Sequence, residues 1–78
     1  MIAIKKNPVM NAFIDVPLTW RRVLLDGKAT AGMTCSNGHY GLIDEHEIAA
    51  DGTVTPSVVC RHEGCAFHEL IRLEEWTP

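Results

Sequence analysis

From Leu18 onward the apolar positions fall into short runs of strand type, separated by glycine-bearing turn signals. Residues 18–25, LTWRRVLL, are strand-like and end at Asp26-Gly27, a strong two-residue hairpin signal. Residues 28–35, KATAGMTC, would run back alongside and deliver Cys35 to a first bend. Residues 40–48, YGLIDEHEI, lead to Asp51-Gly52, a second hairpin signal, and residues 53–60, TVTPSVVC, carry the chain to Cys60. Pro56 in that run suits an edge or a bulge. Residues 66–76, AFHELIRLEEW, can be taken two ways: Phe67, Leu70, Ile71 and Glu74 fit a helical face in part, whereas Phe67, Ile71 and Leu73 share one face of a strand. The strand is favoured.

The start of the chain is different. Residues 1–17, MIAIKKNPVMNAFIDVP, show no sustained period and carry Pro8 and Pro17, which predicts an arm packed on the core or a short edge strand. Val9, Met10, Phe13 and Ile14 are too many apolar residues for a free tail, so they are expected to dock on the core or to form a partner surface. Residues 18–78 are expected to make one small, mostly-β domain.

Length changes the picture. A chain of 78 residues sits where a hydrophobic core alone supplies only a few kcal/mol, and a staple is expected. Three cysteines cannot all pair as disulfides. The first twenty residues lack the unbroken apolar stretch of a signal peptide, because Asn7, Pro8, Asn11, Asp15 and Pro17 interrupt it. The expected compartment is the reducing cytoplasm, where clustered Cys and His point to metal more often than to cystine. With 46% hydrophobic and 22% charged residues the composition is that of a globular domain, not of a disordered or membrane-spanning chain.

The candidate ligands occur as two short-spaced pairs. Cys35 and His39 flank Ser-Asn-Gly, and Cys60 and Cys65 flank Arg-His-Glu-Gly. The twenty residues between the pairs suffice for one hairpin that brings them together. Gly38 and Gly64, each immediately before the second ligand, supply the backbone freedom such tight bends need. A tetrahedral Cys3His set is the pattern of structural Zn²⁺, and a mixed thiolate-imidazole donor set favours zinc over iron. His62 and His68 are close enough in sequence to compete with His39. The bland alternative makes the cysteines small buried hydrophobes and the histidines solvated.

Four ligands close the metal shell, whereas a catalytic zinc keeps a position open for water. His46-Glu47 has the histidine-x-glutamate flavour of zinc deaminases, but no proline followed by a CxxC pair accompanies it. The two-histidine helix motif of metalloproteases is missing as well. No enzymatic role is expected.

These residues resemble a zinc ribbon, in which two knuckles cap β-hairpins around a three-stranded antiparallel sheet. Residues 35–76, CSNGHYGLIDEHEIAADGTVTPSVVCRHEGCAFHELIRLEEW, are similar in style to small zinc-ribbon proteins of tailed bacteriophages and prophages. The resemblance covers about the C-terminal half of the chain and implies fold and metal, not task. The hairpin over residues 15–33, DVPLTWRRVLLDGKATAGM, lies outside a minimal ribbon.

The formal charge of −3 argues against a general electrostatic grip on nucleic-acid phosphates, and a zinc held by three thiolates and a neutral imidazole lowers it by one more. The first expectation is therefore a protein-binding module, a phage or prophage accessory factor that modulates a host or viral complex; inhibitors of the anti-CRISPR kind would be one example. Met10, Phe13 and Trp76 are its candidate partner surface, and Trp20 is expected in the core. The alternative is a nucleic-acid-binding or transcription-regulating ribbon that uses Arg22, Arg61 and Arg72. Arg21 and Arg22, adjacent on a strand, must point to opposite faces. The run Asp44-Glu45-His46-Glu47 adds a minor variant, mimicry of a phosphate backbone. An exposed strand edge would also invite a symmetric homodimer.

Overall fold

The computed structural model describes residues 1–8 and 15–77. Among them the chain forms strands β1 Ile2–Lys6, β2 Thr19–Leu25, β3 Lys28–Thr34, β4 Tyr40–Leu42, β5 Glu47–Ile48, β6 Val54–Thr55, β7 Val58–Val59, β8 His68–Glu69 and β9 Ile71–Leu73, and no helix. The expected hairpin at Asp26-Gly27 is present, with β2 and β3 paired antiparallel from Thr19↔Thr34 to Leu25↔Lys28. Asp26 and Gly27 take φ of 52° and 77°, the double positive φ whose twist matches the flanking strands. At the second signal, β5 and β6 pair antiparallel across the turn that holds Asp51 and Gly52. There the Asp51 carboxylate accepts the Thr53 N–H at 2.9 Å.

The sheet is larger than the three-stranded antiparallel one expected. Five strands join in the order β4-β3-β2-β1-β9. The start of the chain packs on the core as expected of it, but as an inner strand and not as an arm or an edge strand: β1 lies inside the sheet, parallel to β2 on one side and to β9 on the other. Ile2 and Ile4 alternate toward the core, but five residues are too few to reveal a period, and both pairings join segments distant in sequence. Met10 and Phe13 lie outside the described residues.

Two expected strands are each split. Residues 40–48 bend at 43–46, where the His46 N–H donates to the Ile43 carbonyl, because β4 completes the large sheet while β5 belongs to the small hairpin. Residues 53–60 divide at a cis Thr55–Pro56 peptide, with Pro56 exposed between β6 and β7. β7 pairs with β8, and the strand favoured for the last segment serves two sheets as β8 and β9. Phe67, Ile71 and Leu73 are all buried, as one strand face requires.

The core lies between the large sheet and the small hairpins. Ile4, Trp20, Val54, Ile71 and Leu73 are its largest fully buried side chains. Trp20 donates its indole N–H to the Glu74 carbonyl at 2.9 Å, so its one polar atom is satisfied in burial. Trp76 packs on Trp20 with ring centroids 5.6 Å apart and is only 9% exposed. This corrects Trp76 as a partner surface: β9 returns the chain end onto the core, and the ring is spent there. On the opposite sheet face the Tyr40 ring covers Gly32, where any Cβ would collide with it. The Arg21 guanidinium lies 4.1 Å from that ring centroid and pairs with Asp15 at 3.3 Å. Covered on both faces, β3 delivers Cys35 already buried at its end.

Candidate metal centre

Each ligand pair is held by backbone bonds that the glycines make feasible. In the first bend the Gly38 N–H donates to the Cys35 carbonyl at 3.0 Å, and the Cys35 N–H to the His39 carbonyl at 2.9 Å. In the second, the Cys65 N–H donates to the His62 carbonyl and the Cys60 N–H to the Phe67 carbonyl, both at 3.0 Å. Gly38 and Gly64 have φ of 85° and 82°, in the left-handed region where a side chain is strained. Their place before the second ligand therefore has the physical reason expected of it.

The two bends meet. One donor atom each from Cys35, His39, Cys60 and Cys65 lies within 4.8 Å of all the others. His39 Nδ1 is 3.6 Å from both Cys35 Sγ and Cys60 Sγ, and Cys35 Sγ is 3.7 Å from Cys65 Sγ. A disulfide needs about 2.0 Å, and all three cysteines are free. A tetrahedral cation with bonds of about 2.3 Å to sulfur and 2.05 Å to nitrogen has edges of about 3.8 Å (S–S) and 3.6 Å (S–N). The observed edges match, so the four residues lie close enough to hold a metal ion.

Asn37 is the site residue that spacing arguments missed. Its backbone N–H donates to Cys35 Sγ at 3.4 Å and its side-chain amide to Cys65 Sγ at 3.3 Å, so one residue of the first bend orients sulfurs of both bends. In the sequence it passes for a turn residue of the Ser-Asn-Gly bend, and only the juxtaposition of the two bends reveals the second role. The Asn37 amide, helped by the Phe67 backbone, holds the Cys65 thiol down to about 6. At Cys60 the His62 backbone amide pulls the same way, but burial and the neighbouring Cys65 and Cys35 sulfurs outweigh it and leave that thiol raised. Crowded sulfurs of this kind ionise together only with a cation among them.

The competing histidines stand outside the cluster. His62 is exposed; it stacks face to face on His39, with centroids 3.8 Å apart and planes 5° from parallel, and its Nδ1 meets the Glu63 carbonyl. His68 Nε2 shares a 2.7 Å hydrogen bond with Ser57 Oγ on the β7–β8 side. His46 Nε2 donates to the Ser57 carbonyl at 3.2 Å, so the His46-Glu47 pair takes no part in the centre.

Nor are the candidate nucleic-acid contacts gathered. Arg61 is paired with Glu45 at 2.8 Å. Arg22 shares a sheet face with Trp20, whereas Arg72, in register with Ala3, belongs to the opposite face. Arg21 is occupied by Asp15 and Tyr40.

Fold and site together define a small, mostly-β protein with a Cys3His cluster fitted to a metal ion. No known family, curated protein or solved structure matches the chain. Among the described residues no helix is long and apolar enough to cross a membrane.

Proposed function

We propose that the chain is a zinc-stapled, ribbon-type protein-binding module without catalytic activity. The observation that carries this is that Cys35, His39, Cys60 and Cys65 bring four donor atoms within 4.8 Å of one another; four such ligands would complete a tetrahedral zinc and leave no position for water or substrate. Such a metal does its work by holding the two bends together, and its free energy is folding free energy. The scattered arginines and the net charge of −3 favour a protein partner over phosphate. A role as a phage or prophage accessory protein that modulates a larger complex rests on the resemblance of residues 35–76 alone.

Elemental analysis of the protein purified without added metal tests the staple, with one zinc per chain expected. Replacement by Co²⁺ should give the thiolate charge-transfer and d–d bands of a tetrahedral site. A metal-free, fully folded preparation overturns it. The partner class is tested with short duplex DNA and RNA at low salt: retardation that falls steeply as salt rises would establish the nucleic-acid alternative instead.

A further inference from the structure

The large sheet has two outer strands, and the fold treats them differently. Along β9 the edge is covered: the Leu73 N–H donates to the Gly52 carbonyl at 2.8 Å, and Thr53 bridges to Arg72. Along β4 no described residue covers it. Bonds from the Cys35 N–H to the His39 carbonyl and from the Ile43 N–H to the Ala31 carbonyl fix which residues face β3, namely His39, Gly41 and Ile43. The N–H and C=O groups of Tyr40 and Leu42 therefore point outward, and none has a partner among the described residues. Lys, Pro and a bulge, three common guards of an open edge, are absent from β4, Tyr-Gly-Leu, whose three-residue length is its one protection.

Gly41 has no internal reason to be glycine. Its φ is outside the left-handed region, and a Cβ built on it would meet nothing within 4 Å. A glycine of this kind in a strand marks a place where another backbone comes close.

We propose that two copies of this chain pair antiparallel along β4, about a two-fold axis at Gly41. In this register Tyr40 of each copy faces Leu42 of the other, and both of these pairs are hydrogen-bonded in both directions, which satisfies every outward main-chain group of the strand. Tyr40 and Leu42, 37% and 46% exposed in the single chain, become cross-strand aromatic–aliphatic pairs. Gly41 meets Gly41 at the close, non-hydrogen-bonded position, where the lack of side chains permits the approach. None of the three strand residues is charged, so no carboxylate meets a carboxylate within the pairing, although the chain as a whole is acidic. The result is a continuous sheet with covered outer edges.

Sedimentation equilibrium of the metal-loaded protein, from micromolar to millimolar concentration, tests this. The expected mass rises from one chain to two. Gly41→Lys, whose Cβ the single chain accommodates, should hold the mass at one chain while metal content and circular dichroism are unchanged, because like charges face each other across the axis. Hydrogen exchange on the unaltered protein gives a readout independent of that variant: the Tyr40 and Leu42 amides should gain protection as concentration rises. A chain that stays monomeric at millimolar concentration, which would leave the edge for a strand of another protein, overturns the proposal. So does a dimer in which those two amides stay unprotected, or one that Gly41→Lys leaves intact.

Discussion

Replacing Cys65 by serine removes one corner of the tetrahedron and leaves Cys35, His39 and Cys60 around a position that only water can complete. A structural zinc contributes about 10–16 kcal/mol at neutral pH. A 78-residue chain, at about 0.05–0.15 kcal/mol per residue, has a net stability of about 4–12 kcal/mol. The metal contribution is thus as large as the whole net stability, so the chain without it should not stay folded. Around it the remaining structure is thin: β5, β6, β7 and β8 have two residues each. Shared evenly over four ligands, the zinc contribution gives about 2.5–4 kcal/mol per ligand. For a domain of this size that lowers the melting temperature by about 10–30 °C. Melting followed by circular dichroism and by Trp20 and Trp76 fluorescence should show the shift in Cys65→Ser and complete loss of the transition in chelator-dialysed unaltered protein. If the chelated protein still melts cooperatively at its original temperature, the tetrahedral staple is not what holds this fold.

Three further outcomes are expected. His39→Ala should lower zinc content well below one per chain, whereas His62→Ala, which removes a stacking ring and no donor, should retain the metal; the reverse pattern would assign the ligand role to His62. Gly32→Val should cost about 1–3 kcal/mol in denaturant unfolding, because the new side chain displaces the Tyr40 ring, and Tyr40→Ala should recover part of that loss. Asn37→Ala, which removes the amide that donates to Cys65 Sγ, should weaken zinc binding by about 10–100-fold in competition with a chromophoric chelator, while a variant that binds as tightly as the unaltered chain would deny Asn37 any part in orienting the sulfur.

Much of what neighbours in the chain govern was legible in the sequence, although the bend at 43–46 that parts β4 from β5 was not. The turns at Asp26-Gly27 and Asp51-Gly52, the need for Gly38 and Gly64 before His39 and Cys65, and the four-residue donor set are local: backbone sterics and coordination chemistry act over a few residues. What remained hidden depends on pairings between distant segments. The sequence of residues 1–6 carries only two alternating isoleucines, and nothing in them states that β2 and β9 will flank them as parallel neighbours. Trp76 could not be placed in the core until β9 brought it to Trp20, and Asn37 could not be seen as a donor to Cys65 until the two bends met. The arginines were countable, but their dispersal over opposite faces and into pairs with Asp15 and Glu45 follows from strand register and the meeting of separate loops. Local geometry is written residue by residue, whereas sheet order is chosen by which distant apolar edges bury most when they meet, and that competition is settled only in three dimensions.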